Sequence, residues 1–168
     1  NEFKTLSTMS ESKHLLFLID ACYGGLASVG TRGLDVKAPN YIEKISKDKS
    51  RQVITAGSRG EKAIEKSEWG HSAFTMNLLR GLKTGRADYN SDGVITTNEL
   101  YMFLKEKVTQ DSEHAQTPQT GRYSTHEGEF VFIYSENTNI NQASNNSNQS
   151  SDDLQMILKK LEALEAAT

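Results

Sequence analysis

The sequence predicts an α/β domain with a mainly parallel sheet. Residues 14–19 are almost continuously apolar and are soon followed by Gly24 and Gly25, which is typical of a short strand buried on both faces of such a sheet. Residues 52–56 form a second short run rich in β-branched side chains. Later segments carry apolar residues at helical spacing, as expected for helices that cover a sheet.

The segments around these two strands are less regular. Residues 1–12 are polar with scattered apolar side chains, which indicates the end of a helix before the first strand. Residues 23–51 form a long connection with several glycines and a short predicted helix at 40–48. A loop of that length beside a strand end is usually functional or mobile.

Two amphipathic helices and a final strand complete the predicted domain. Apolar residues at helical spacing predict a helix over residues 71–83 and another over 97–109. Residues 110–128 are polar and predict a loop, and the apolar run 130–134 predicts the last strand. The domain is therefore expected to span residues 1–134.

The remaining residues predict a linker and a helix. Residues 135–151 are mostly Asn, Ser and Gln, which bury too little apolar surface to offset the entropy of ordering. Residues 152–168 place four apolar side chains in a heptad pattern: Leu154, Ile157, Leu161 and Leu164. Two heptads are marginal alone, so this helix is expected either to join a coiled-coil partner or to continue into further sequence.

Composition narrows the class of protein. The chain has 168 residues and a net charge of −3, which argues against a nucleic-acid-binding surface. It has neither a long apolar stretch that would span a membrane nor a secretory leader pattern. The single cysteine excludes an intramolecular disulfide, so we expect a reducing, cytoplasmic location.

That cysteine, Cys22, lies where the first strand ends. Ligands of open α/β sheets bind at the carboxyl ends of the strands, where loops and helix termini converge. Asp20 precedes Cys22, and two glycines that allow close approach of a substrate follow it, which favours a nucleophile. The alternative is a buried structural cysteine, which is the commoner role of a lone thiol.

Asp-Ala-Cys-Tyr-Gly-Gly at residues 20–25 resembles the nucleophile segment of the caspase-like cysteine peptidases, closest to bacterial members and metacaspases. An aspartate stands here where the caspase form Gln-Ala-Cys-x-Gly has glutamine. Further similar segments lie at residues 53–58, 69–75, 117–119 and 129–134. The resemblance covers residues 13–134 and implies that residues 1–134 are the carboxyl-terminal part of a caspase-like three-layer domain.

The resemblance implies a cysteine endopeptidase that needs no cofactor. Cys22 would attack the scissile carbonyl as a thiolate, and its backbone N–H would contribute to the oxyanion hole. The histidine of the family lies about 50 residues before the cysteine, so it is expected in an upstream part of the same domain. We assign no catalytic role to His14, His71, His114 or His126, because none is followed by the glycine of the family motif.

Specificity and processing sites also follow from the resemblance. Asp20 matches an aspartate that serves a pocket for Arg or Lys, and Ala56, Gly57 and Ser58 are expected to line the substrate pocket. A turn-capping aspartate is the structural alternative for Asp20. Basic specificity would make Arg32 and Lys37, in the glycine-rich connection, the natural sites of self-processing.

Residues 88–99 match the calcium-loop pattern D-x-[DN]-x-[DN]-G-x5-E. In such a loop the metal ligands would be Asp88, Asn90, Asp92, the Val94 carbonyl and Glu99. A turn followed by a capping box, with Thr96 and Glu99 starting the second helix, explains the same residues without a metal. The sequence leaves both alternatives open.

Two further hypotheses remain beside the peptidase. The first is a catalytically inactive caspase-like module used for recognition, and the second is a calcium-responsive binding module in which Cys22 has no chemical role. A histidine followed by glycine at a strand end about 50 residues before Cys22 would favour the enzyme.

Overall fold

The computed structural model of the chain describes residues 2–22 and 40–134. The helices are α1 (Glu2–Met9), α2 (Tyr41–Lys47), α3 (Ala73–Lys83) and α4 (Thr97–Asp111), with a 3-10 turn at Ser67–Trp69. The strands are β1 (His14–Cys22), β2 (Ser50–Gly57), β3 (Val94–Thr96), β4 (Gln119–Arg122) and β5 (Val131–Ile133). The α/β class is confirmed.

The described part of the chain contains a three-stranded mixed sheet. Its strand order is β1-β2-β4, with β1 and β2 parallel and β2 and β4 antiparallel. The expectation of a mainly parallel sheet is therefore wrong for these residues. The cause is β4, a polar strand inside the predicted loop, which runs back along β2 from Gln119 opposite Thr55 to Arg122 opposite Gln52.

The last predicted strand also lies elsewhere than expected. β5 pairs antiparallel with β3 in a separate two-stranded sheet, with Val131 opposite Thr96 and Ile133 opposite Val94. This pairing places the segment before β5 against the start of α4. The Thr97 N–H and hydroxyl both donate to the Phe130 carbonyl.

The three-stranded sheet is covered on both faces. Leu16 and Leu18 of β1 pack on a core that includes Phe74 of α3 and Leu104 of α4. Phe17 points the opposite way, because side chains alternate along a strand. Its ring meets that of Phe3 in α1 edge to face, 5.4 Å apart.

Strand burial differs from the prediction for β1. All eight residues of β2 are buried, because this strand is central. β1 has a neighbour on one side only among the described residues, and its side chains are half-buried, with Asp20 and Ala21 exposed. Residues 14–19 are therefore less buried than predicted, because β1 is an edge strand among the described residues, although side chains cover both of its faces.

Helices α3 and α4 both begin with a side-chain cap, and only the cap of α4 was predicted. Ser72 precedes α3 and accepts a hydrogen bond from the Thr75 N–H at 3.0 Å. Thr96 and Glu99 form a capping box at the start of α4. α3 and α4 pack closely, since a Cβ on Gly81 would lie 2.9 Å from the Phe103 ring. No helix of the described residues is long and apolar enough to cross a membrane.

Candidate active site

Cys22 lies at the carboxyl end of β1, beside the end of β2. Its register partner is Gly57, and a Cβ built on Gly57 would lie only 2.7 Å from Cys22 Sγ. Atoms this close would overlap, so the thiol rests on the bare backbone of the neighbouring strand. Two residues that the sequence analysis assigned to one site are thus brought into contact.

The strand pairing is irregular just before the thiol. Ile19 pairs with Thr55 and Cys22 pairs with Gly57, so β1 has one residue more than β2 over this interval. An extra residue of this kind interrupts the alternation of side chains and re-aims the strand end. Because of this extra residue, the alternation of side chains along β1 does not determine whether Asp20 and Cys22 lie on the same face of the strand.

Asp20 is fixed by the start of α3. Its Oδ2 accepts hydrogen bonds from the Ser72 hydroxyl at 2.5 Å and the Thr75 hydroxyl at 2.6 Å. Its Oδ1 has no hydrogen-bond partner among the described residues. The N-terminus of a helix carries a partial positive charge that also stabilises a carboxylate. Asp20 is therefore a carboxylate held in place through one of its two oxygens.

Asp20 lines a cleft of about 570 Å³ together with residues of the segment before α3. The other lining residues are Glu65, Lys66, Ser67, Gly70, His71, Ser72 and Thr75. The Lys66 ammonium lies 3.3 Å from a Glu113 carboxylate oxygen and 4.8 Å from the centre of the Trp69 ring. The Lys66 ammonium in the cleft lining is thus partnered by Glu113. Asp20 and Glu65 place two carboxylates in the same lining.

Glu61 lies beside Cys22 and was not identified from the sequence. One of its oxygens would be 2.9 Å from a Cβ on Gly57. The same oxygen accepts the Ser58 N–H at 2.8 Å and the Thr117 N–H at 2.7 Å. It therefore joins the end of β2 to the segment before β4. A glutamate three residues after a serine in a turn is a common pattern, so the sequence around Glu61 does not indicate that it lies at a site.

The surroundings of Cys22 favour the neutral thiol. Burial raises the pKa of Cys22, and the carboxylates of Glu61 and Asp20 raise it further. Both causes disfavour the charged thiolate. A nucleophilic role for this thiol would therefore require a base that takes its proton.

The other residues expected to bind substrate differ in exposure. Ala56 is fully buried in the hydrophobic core, and its carbonyl accepts a hydrogen bond from Gln116 Nε2 at 2.8 Å. Ser58 is half-buried at the end of β2, where its N–H is bound by Glu61. Gly57, rather than the Ala56 side chain, borders the thiol.

No described histidine donates to or accepts from Cys22. His14 lies at the opposite end of β1, where its Nε2 is 3.0 Å from the Asp48 carbonyl oxygen. His126 Nδ1 is 3.3 Å from Asp48 Oδ1. His114 is exposed after α4, and His71 is exposed at the rim of the Asp20 cleft. These positions agree with leaving all four histidines without a catalytic assignment.

The segment with the calcium-loop pattern forms a hydrogen-bonded turn. Asp88 accepts the Asp92 and Gly93 N–H groups, Asn90 Oδ1 accepts the Asp92 N–H, and Asp92 Oδ1 accepts the Val94 N–H. Val94 then begins β3. The described residues contain no group of three or more His, Cys, Asp or Glu side chains placed to hold a metal ion.

Glu99, the last residue of that pattern, is 5% exposed and faces its own helix start. Its Oε2 accepts the Thr96 N–H and hydroxyl, both at 2.9 Å, while its Oε1 is buried without a hydrogen-bond partner among the described residues. The turn and cap thus account for most polar contacts of this segment. Calcium binding stays a prediction, and a ligand role for Glu99 would compete with its contacts to Thr96.

Three predictions lie outside the described residues: self-processing at Arg32 and Lys37, the linker at 135–151, and the helix at 152–168. No family model matches the chain, and no curated protein or solved structure gives a significant match.

Proposed function

We propose that residues 1–134 are the carboxyl-terminal part of a cysteine endopeptidase that cleaves after arginine or lysine. The observation that carries the proposal is the placement of Cys22 Sγ against Gly57 at the carboxyl ends of two parallel strands. This is the edge of an α/β sheet at which ligands bind. The resemblance of residues 13–134 to caspase-like peptidases points to the same residue as the nucleophile.

In the proposed reaction the Cys22 thiolate attacks the scissile carbonyl. A histidine from an upstream part of the domain takes the thiol proton and later gives it to the leaving amine. The raised pKa of Cys22 makes this base necessary, since little thiolate forms near neutral pH without it. The Cys22 N–H would donate to the oxyanion as negative charge develops on the carbonyl oxygen.

Asp20 supports the proposed preference for a basic residue before the cut. Its Oδ2 is held by Ser72 and Thr75, and a substrate cation would pair with Oδ1, which has no partner among the described residues. A carboxylate in the cleft would pair with a guanidinium or ammonium, whereas a substrate aspartate would meet like charge. Glu65, which lines the same cleft, adds to that discrimination.

The test uses the full chain joined to its upstream sequence and peptides that end in Arg, Lys or Asp before a fluorogenic group. We expect turnover of the Arg and Lys peptides, none in Cys22→Ala, and a loss of about 10²-fold or more in kcat/KM for Asp20→Asn. Glu68→Gln, an exposed carboxylate outside the cleft lining, is the matched control and should keep wild-type rates. A preference for the Asp peptide would contradict the role of Asp20.

An inactive recognition module is the second candidate. The observation in its favour is that burial and two carboxylates raise the pKa of Cys22 while no described histidine contacts it. The same protein would then bind a basic peptide in the Asp20 cleft without cutting it. Peptide binding that is lost in Asp20→Asn, together with no turnover in any variant, would favour this candidate over the peptidase.

A further inference from the structure

A second, smaller pocket of about 200 Å³ lies at the other end of β2. It is bordered by the end of α1, the start of β2 and the segment after β4. It shares no lining residue with the Asp20 cleft. Arg51 and Gly57 are six positions apart on β2, which corresponds to about 20 Å along an extended strand.

Arg51 is the buried cation of this pocket, with 7% of its surface exposed. Its guanidinium donates to four backbone carbonyls, those of Ser7, Ser10, Lys13 and Ser50, at 2.7 to 3.0 Å. No carboxylate of the described residues forms an ion pair with it. Charges removed from water are normally paired, because their loss of hydration is costly.

The carbonyls compensate this charge only in part. Two of them, from Ser7 and Ser10, lie at the end of α1, where the helix dipole supplies roughly half a negative charge. The four bonds use four of the five N–H donors of a guanidinium. Arg51 therefore keeps a positive charge and one guanidinium N–H that none of these four carbonyls accepts.

The rest of the lining has the same character. Lys49 and His126 add two basic side chains, and His126 Nδ1 lies 3.3 Å from Asp48 Oδ1. Among the described residues, no Asp or Glu lines the pocket itself. Ser124 contributes a hydroxyl whose Oγ is buried without a hydrogen-bond partner among the described residues. Ser10 adds a further hydroxyl, whereas the other two lining hydroxyls at the end of α1 already donate to backbone carbonyls. A buried polar atom without a partner is costly, and a bound ligand would satisfy it.

We propose that this pocket binds a phosphate-type oxyanion. Arginine, lysine and hydroxyl groups together recognise a tetrahedral oxyanion through charge-assisted hydrogen bonds. A volume of about 200 Å³ suits a small anion and lies below the usual range of about 300–1,000 Å³ for larger ligands. The anion would pair with Arg51 and give Ser124 Oγ an acceptor.

The test titrates the full chain with inorganic phosphate while sodium chloride keeps the ionic strength constant. The amide signals of Ser124 and His126 are followed by two-dimensional NMR. We expect saturable shifts at these residues. We also expect dissociation constants about tenfold weaker in Lys49→Ala and Ser124→Ala, as for one lost hydrogen bond to a charged group. Arg51 itself is not replaced, because two of its four carbonyl contacts hold the end of α1.

Lys44→Ala is the matched control, because Lys44 is exposed on α2 and does not line the pocket. It should bind phosphate as the wild type does. A parallel titration with O-phosphoserine distinguishes the two sources of phosphate. Binding of O-phosphoserine would show that the pocket admits a phosphate ester as well as free phosphate. No saturable shift in the wild type, or equal weakening in Lys44→Ala, would overturn the proposed site.

Discussion

Replacing Gly57 by alanine tests the contact between the thiol and the neighbouring strand. The new Cβ would lie 2.7 Å from Cys22 Sγ, 2.9 Å from a Glu61 oxygen and 3.3 Å from Gln116 Cγ. At least the first two contacts are too short, so the thiol and the carboxylate must move. Overpacking of this kind costs about 1–3 kcal/mol.

The alanine also reduces the freedom of the unfolded chain, which returns about 0.4–1 kcal/mol. The midpoints of these two ranges give an expected net loss in unfolding free energy of about 1.3 kcal/mol. For a chain of this size the melting temperature should fall by about 3–5 °C. Alkylation of Cys22 by iodoacetamide should become faster, because Sγ is pushed from its half-buried position.

Two further variants separate the steric cause from a backbone effect. Gly60→Ala is the control, because nothing lies within 4 Å of its Cβ position. Since the φ of Gly60 is +88°, any loss of stability in this variant would come from backbone strain and not from a clash. It should leave the alkylation rate unchanged. Adding Cys22→Ala to Gly57→Ala should recover about 1 kcal/mol, because the closest clashing atom is gone. Wild-type stability and thiol reactivity in Gly57→Ala would refute the reasoning.

Three other predictions concern charge, calcium and processing. Because the Glu61 carboxylate raises the pKa of Cys22, Glu61→Gln should lower it and move the pH profile of alkylation to lower pH; an unmoved profile would contradict this. If residues 88–99 bind calcium, the wild type should melt at a higher temperature in millimolar calcium than in chelator, and Glu99→Gln should not. Superimposable melts of the wild type would mean that the segment is only a turn followed by a helix cap. If the chain joined to its upstream sequence cuts itself, mass spectrometry should find ends after Arg32 or Lys37 that are missing in Cys22→Ala, and the same ends in that variant would indicate a contaminating protease.

The helices around the sheet were predictable because their signals are local. Ser72 caps α3 through a residue three positions away, and Thr96 and Glu99 cap α4 in the same way. Apolar spacing indicated the buried face of α4, whereas the buried residues of α3 include the polar Asn77 and Gly81. Only the ends differ, with α4 continuing to Asp111 instead of stopping at residue 109.

Strand β4 was not predictable from its residues. Gln-Thr-Gly-Arg has neither an apolar run nor a strong strand preference, and it forms a strand because Gln119 and Arg122 pair with Thr55 and Gln52 of β2. The side of β2 that β4 occupies, and its antiparallel direction, depend on the loop that joins them. This one strand changes the expected mainly parallel sheet into a mixed one.

In the candidate site, too, some features were predictable from the sequence and others depended on the tertiary structure. The sequence by itself placed Cys22 at a strand end and Gly57 at the next one, because strand ends are marked by neighbouring residues. Only the tertiary structure brought Glu61 to the thiol, joined Asp20 to Ser72 across 52 positions, and set Arg51 in a pocket with Ser124. The physical reason is that helix caps and apolar periodicity depend on residues a few positions apart. Contacts between distant residues exist only after strand pairing has closed the loops between them.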